Sequence, residues 1–256
     1  MSRGRAFPAL AGLALALALV FLGLPLVALF VDTPPSALAR SLGEPTARDA
    51  LWLSLRTTAV AMALILVVGT PAAYLLATRR FRGRALVVTL VELPLVLPPA
   101  VAGIALLATY GEQGLLGGSV DVVFTTPAVV IAVAFVASPF YLRGAQAAFA
   151  AVDPTLLEAS RTLGAGPART FAAVAVPAAV AGLGAGAALA LGRALGEFGA
   201  TLMFAGSFQG VTQTMPLDIY ARFATHFDEA LALSVVLVAV SAGILAAVKL
   251  VGRAGG

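Results

Sequence analysis

Cysteine is absent from the 256-residue chain, which rules out disulfides and thiolate metal sites. Charge is scarce. Asp, Glu, Lys and Arg make up 11% of the residues, against about 25% in a soluble domain. There is one histidine, His226, and it has no cysteine to share a metal with, so it reads as a surface residue of a loop. Ser54, Ser138 and Ser234 stand in no Ser-His-Asp arrangement, so nucleophilic catalysis has no support. No G-x-x-x-x-G-K-[ST] occurs, so the chain has no phosphate cradle for ATP. Stretches of ~10 alternating residues, the mark of a membrane barrel, are missing too. The sequence therefore predicts no catalytic residue, no metal and no cofactor.

What remains is apolar. Hydrophobic residues are 61% of the chain and the mean hydropathy is +1.02. A bilayer span takes about 20 apolar residues, and the chain divides into six. They are Ala6 to Val31, Leu51 to Thr78, Ala85 to Tyr110, Val122 to Leu142, Phe171 to Gly192 and Ala230 to Val248. The first is far longer than the core of a signal peptide and reads as a span. The third carries Glu92, then Pro94, Pro98 and Pro99, which a bilayer helix tolerates when neighbours satisfy the freed carbonyls. Between the spans, Asp32 to Asp49 and Ser207 to Glu229 read as polar loops. Trp52 reads as an interfacial anchor.

Basic residues set the orientation. With the N-terminus inside, eleven of the 16 Lys and Arg fall at inside ends, among them Arg79, Arg80, Arg82, Arg84 and Arg143. Four fall outside (Arg40, Arg48, Arg56 and Arg222), and Arg193 lies within the apolar region. Only an even number of spans keeps this alternation. The net charge of +4 thus reflects topology and not nucleic-acid binding. Both termini are expected in the cytoplasm.

Two polar stretches interrupt the pattern. Asp153-Pro154 suits a helix start, and Gly164, Gly166 and Pro167 suit its end. The spacing predicts a short helix from Thr155 to Leu163 and a second beginning near Ala168, a cytoplasmic elbow between the fourth and fifth spans. Further on, Arg193 and Glu197 are four apart and share a helix face. Ionisable groups at membrane depth are functional candidates, or else a self-neutralising pair at the outer interface. Around them Gly182, Gly184, Gly186, Gly192, Gly196 and Gly199 favour close helix packing.

The elbow also carries a resemblance. Glu158-Ala159-Ser160, three residues, Gly164, nine residues, Val174, one residue, Val176-Pro177 resembles the Glu-Ala-Ala loop of ABC-importer permeases. Ser160, Val174 and Val176 depart from the family's Ala, Ile and Leu. The run Gly192 to Gly206, Gly-Arg-Ala-Leu-Gly-Glu-Phe-Gly-Ala-Thr-Leu-Met-Phe-Ala-Gly, is similar to the fifth-span signature of the molybdate permeases, and Thr212 to Tyr220 continues it. Sulfate permeases typically have Tyr where Phe198 stands. The resemblance runs from about Leu51 to Val248.

It implies an all-α membrane protein of type I ABC importer permease architecture, with residues 1–256 as one permease domain and a core over about 51–250. Glu158, Ala159, Ser160, Gly164 and Pro177 would then belong to a coupling helix that docks on an ATPase. Arg193, Glu197, Phe198 and Thr201 would lie on the path or gate, on the third and fifth spans. The implied partners are a second copy, two ATP-binding subunits inside, an extracytoplasmic oxyanion-binding protein and the bilayer of the cell membrane, with no nucleic acid. The implied cargo is molybdate, with tungstate beside it and a sulfate or thiosulfate permease as the alternative reading. From another class, an ATP-independent secondary transporter or a poreless scaffold explains the spans but not the elbow.

Overall fold

In the computed structural model the backbone is described for residues 3–254, and the side chains of all of these except 3–6, 9, 249 and 251–254. Arg3, Arg5, Lys249 and Arg253, four of the eleven basic residues assigned to inside ends, lie outside the described side chains. Among the described residues every regular element is helical. In chain order they are α1 (Arg3–Asp32), α2 (Pro35–Gly43), α3 (Pro45–Thr78), α4 (Arg84–Val96), α5 (Pro99–Tyr110), α6 (Thr126–Ala150), α7 (Pro154–Thr162), α8 (Pro167–Thr170), α9 (Val176–Leu195), α10 (Gly199–Ala205), α11 (Met215–Phe223) and α12 (Phe227–Ala254). A π-helical turn, Phe171–Ala175, joins α8 to α9.

Among the described residues five stretches are long and apolar enough to cross a membrane, and α4 with α5, bent by 119°, makes a sixth when the pair is counted as one span. The third span is thus broken, not the single run predicted. The cause is local. Leu97 and Pro98 each precede a proline, and a residue before proline is pushed out of the α region. Both are extended, with ψ of 130° and 138°. Pro99 then opens α5 at a position where the missing N–H costs nothing.

Three further expectations are corrected. The stretch Asp32 to Asp49 is not a loop throughout: Pro35 starts α2, and Pro45 starts α3 ahead of the predicted Leu51. Ser207 to Glu229 likewise contains α11, opened by Pro216. The fourth span does not close at Arg143. It starts at Thr126 and continues to Ala150, so Arg143 lies inside a helix.

The core is built on α3, α6 and α9, rich in alanine. Small residues bring these backbones together. A Cβ on Gly144 would stand 2.8 Å from the Gly186 Cα, and one on Gly182 would stand 2.5 Å from the Ala148 Cβ. Of the other glycines credited with close packing, Gly199 meets Pro99, but Gly184 has open space, and Gly192 and Gly196 make only ordinary contacts. Thr70 Oγ1 and Tyr141 Oη share a hydrogen bond of 2.6 Å between α3 and α6. α4 has no buried residue and packs on α6.

The two ends of the bundle are set by α3, which at ~1.5 Å per residue measures about 50 Å. At its start, Ser54 Oγ accepts from the Met215 N–H at 2.8 Å. At its finish, Tyr74 packs on Phe149 and Phe171, with ring centroids 5.3 and 5.0 Å away. The second end carries the elbow.

Gly182→Ala is expected to destabilise the protein by about 1–3 kcal/mol through overpacking. Gly184→Ala, with nothing near its Cβ, should stabilise by about 0.5–1 kcal/mol through helix propensity. Thermal unfolding of the two variants in detergent checks the opposite signs.

Candidate functional site

The elbow is α7 with the turns on either side. Asp153 caps it: its Oδ1 accepts from the Thr155 N–H at 2.9 Å, and Pro154 takes the first helical position. That hydrogen bond, from backbone and side chain of Thr155, holds the exposed Asp153 carboxyl below the usual carboxylate range. At the other end Gly164 has φ +85°, the left-handed conformation that favours glycine. The Gly164 N–H donates to Arg161 O and the Ala165 N–H to Ser160 O, at 2.9 and 3.0 Å. These are the two bonds of a Schellman motif.

Only a narrow stripe of α7 faces the protein. Leu157 is buried, while Glu158, Ala159 and Arg161 are exposed. Leu156 and Leu163 are exposed as well, Leu163 by 88%. Large apolar side chains beside a carboxylate on one small helix give a surface suited to another protein. Ser160 Oγ bonds Thr170 Oγ1 at 3.1 Å, and Thr170 is fully buried. The Ser that departs from the family's Ala thus ties α7 to the start of the fifth span. Pro177 sits at the second position of α9, just after the π turn. Having no N–H and a ring that crowds the carbonyl four residues back, it stands where the helix has already widened.

The second candidate group lies at the far end of α9. Arg193 Nη2 and Glu197 Oε2 form an ion pair at 2.5 Å. Their shared helix does not extend that far, because α9 ends at Leu195. Glu197 is almost fully buried and its Oε1 accepts from the Ala200 N–H at 2.7 Å, which caps α10. Phe198 packs against Tyr220 with ring centroids 4.9 Å apart and the rings tilted by 51°. It lines a cavity of about 310 Å³ with Pro216, Ile219, Tyr220, Phe223 and Leu237. Those walls are mostly apolar, and among the side chains named only the Tyr220 hydroxyl is a hydrogen-bond donor. Thr201 is fully buried, and its Oγ1 has no partner among the described residues. So the four candidates are near in sequence, but only Arg193 and Glu197 are brought together.

Tight packing joins this group to the broken third span. A Cβ on Gly199 would lie 2.5 Å from the Pro99 Cβ, and one on Gly103 would lie 2.7 Å from Ala200 O. α5 and α10 therefore touch backbone to backbone. Beyond α10 the chain turns through Gly206 and Gly210, at φ +69° and +73°, and enters α11 through buried Thr212, Gln213 and Thr214. There Arg222 donates to Asp218 Oδ1 at 3.0 Å, Glu44 Oε2 at 2.6 Å, Glu229 Oε2 at 2.8 Å and Thr46 Oγ1 at 3.1 Å. Burial alone would lower its pKa, but hydrogen bonds to three carboxylates outweigh this and hold the guanidinium above the ordinary arginine range.

Sequence reasoning missed two arrangements. One is the Arg222 cluster, which joins α11 and α12 to the start of α3 and to Glu44 just before it. The other joins Glu92 of α4 to Arg143 of α6, with Oε1 and Nη1 2.7 Å apart. Each residue was visible as a charge in an apolar run, but their partnership required the fold. His226 is exposed, as expected.

The fold is that of a multi-pass membrane protein with a short capped helix standing out at one end. A bacterial ABC transporter involved in the import of the acidic polysaccharide alginate shares this fold over 98% of this chain and 96% of its own, with a TM-score of 0.77 at 18% identity. The chain belongs to the family of binding-protein-dependent transport system inner membrane components, whose pattern matches residues 69–253. It is similar to the molybdenum transport system permease protein ModB of Mycobacterium tuberculosis, at 40% identity over 92% of this chain and 89% of that protein. It is also similar to the molybdate/tungstate transport system permease protein WtpB of Pyrococcus abyssi, at 30% identity over 92% of each. The chain is an ABC importer permease.

Replacing Asp153 with Ala should speed amide exchange in the first turn of α7 severalfold, and Asp153→Ser should restore protection. Because the folded pKa is lowered, the cap contributes fully above about pH 4. Its contribution is lost as pH falls through the lower folded value. Hydrogen exchange followed between pH 6 and 3 reads this directly.

Proposed function

We propose that this chain is the permease subunit of an importer that carries molybdate, with tungstate as a second cargo, into the cell. ATP hydrolysis on a separate subunit drives it. The observation that carries the reading is the elbow. The Glu158 to Pro177 pattern begins in the capped helix α7, which stands out from the bundle with Glu158, Ala159 and Leu163 exposed, and ends at the start of α9. The cargo rests on the relatives named for molybdenum and for molybdate with tungstate.

The chain acts as one permease domain, paired with a second copy. Two ATP-binding subunits engage the elbows in the cytoplasm, where both termini also lie. A binding protein loaded with the oxyanion docks at the opposite end, near α2 and α11. Small Ala159 and the glycine turn let the partner backbone approach closely, and Glu158 offers it a carboxylate.

Movement of the elbow has a physical route inward. Ser160 grips Thr170, and the Tyr74, Phe149 and Phe171 rings hold the π turn. A displacement of α7 therefore reaches α9 through a turn that is already widened, and π turns are often found at functional sites. From α9 it passes through Glu197 to α10, and through Gly199 and Gly103 to α5. Arg193, Glu197, Phe198 and Thr201 lie on this route, so their proposed role is to set the gate between the broken third and fifth spans.

The test is ATP hydrolysis by the complex reconstituted with its ATPase and binding protein. Stimulation by binding protein loaded with molybdate or tungstate, and none with sulfate, is expected. Stimulation by sulfate alone overturns the cargo, and failure to hold any ATPase overturns the function. Glu158→Lys, or Gly164 replaced by Leu, should cut uptake at least tenfold while the protein remains folded in the membrane. Wild-type uptake by both variants would remove the elbow from the mechanism.

A further inference from the structure

The pair Glu92–Arg143 stands inside apolar helices, eight residues into α4 and seven before the end of α6. At ~1.5 Å per residue that is about 10–12 Å above the elbow end of the bundle. The two side chains are 36% and 53% exposed. Ionisable groups at such depth face a bundle interior or water, not lipid tails. Yet α4 has no buried residue, so among the described residues nothing beyond its contact with α6 covers this face.

The guanidinium is also under-used. Arginine has five N–H donors in a planar fork. Among the described residues Arg143 meets one carboxylate oxygen, at 2.7 Å. Arg222 makes the contrast: it donates to three carboxylates and a threonine and is only 14% exposed. Arg222 makes four hydrogen bonds with its five donors and is structural. Arg143 keeps most of its fork free toward open space.

We infer that Arg143 is a transient binding site for the tetrahedral oxyanion on the inner half of the path, with Glu92 as its exchangeable counter-ion. This rests on the importer reading above. The chemistry suits the class of ligand. A dianion with several oxygens accepts from two N–H groups of one guanidinium at once, and it carries twice the charge of the carboxylate it displaces. Glu92 stays tethered beside the site, so it returns to Arg143 as the anion leaves. That return keeps the site from becoming a trap. Other ionisable groups at membrane depth do not fill this role. Glu197 is buried and holds Arg193, and Arg84 lies at the helix start with its Nε donating to Leu76 O at 2.9 Å.

The experiment uses the complete complex and molybdate as probe, with two readouts. The first is equilibrium binding of molybdate to the permease–ATPase complex without binding protein. Glu92→Gln should tighten it about tenfold, while Arg143→Gln and the double variant should abolish it. The second is ATP-driven uptake into proteoliposomes. Wild type should take up molybdate, and both single variants should be slowed at least fivefold. The double variant should stay as slow as Arg143→Gln. A pair that merely staples α4 to α6 makes the opposite forecast: no change in molybdate binding, and recovery of uptake when both charges are removed together. Either result overturns the site, provided wild type transports. Failure of wild type to take up any oxyanion would overturn the importer reading and this site with it. Size-exclusion chromatography of each variant with its ATPase separates these outcomes from loss of assembly, and Arg143→Lys, which keeps the charge without the fork, should recover part of the uptake.

Discussion

The structure depends on satisfying backbone polar groups where a membrane helix is broken. Inside a bilayer no water replaces a lost helical hydrogen bond, so an interrupted helix survives only against protein. This chain has two such interruptions, Leu97–Pro98 between α4 and α5, and Gly196–Phe198 between α9 and α10. They are solved together. The Glu197 carboxylate caps α10, Pro99 opens α5, and the two new helices lie against each other through Gly103 and Gly199 at distances that no Cβ could share. Each break is the other's shelter. Neither span could straighten without opening a gap at its neighbour.

The rest of the bundle divides around that contact. At the α2 and α11 end, Arg222 links Glu44, Thr46, Asp218 and Glu229 in one network, and Ser54 holds the start of α11. A network that joins three helices and the α2–α3 junction resists shear, because none of them can slide without unpairing a partly buried charge. At the elbow end the holds are lighter: one hydroxyl pair, three aromatic rings and the buried Leu157. Such contacts tolerate sliding. A rigid far end and a compliant near end are what a force applied at α7 requires if it is to bend α9 and not merely tilt the whole bundle.

Much of this was legible in the sequence, and the pattern of success has physical causes. The spans were readable because the bilayer imposes length and apolarity on each one separately. The elbow was readable because its signals, Asp153, Pro154, Gly164 and Pro167, act within a few residues. The break at Leu97–Pro98 was in principle readable too. A residue before proline is disfavoured in the α region, and Leu97 and Pro98 are two such residues in succession. Helices α2 and α11 were hidden by polar composition, which a short helix on a membrane protein's rim shares with a loop. The partners of Arg222 and Arg143 were not readable, because a charge in one helix does not announce which helix will lie beside it.

The glycines show why such local signals fall short. Gly182, Gly184 and Gly186 lie along about one turn of α9 and look alike as a run of small residues. Only Gly182 and Gly186 meet a neighbour, and Gly184 faces open space. A helix turns about 100° per residue, so residues two apart lie on nearly opposite faces and four apart lie on one. Contact with α6 through positions 182 and 186 therefore removes 184 from that interface by geometry alone. The same reasoning separates Glu197 from its expected place on the Arg193 face. Four residues apart would align them only if the helix continued. It ends at Leu195, and the pair forms because Glu197 is held by the cap of the following helix. A charge pair anchored across a helix break, unlike one within a helix, loses its geometry if the break moves. That makes Arg193–Glu197 sensitive to the relative position of α9 and α10, the two segments between which a displacement arriving from the elbow has to pass.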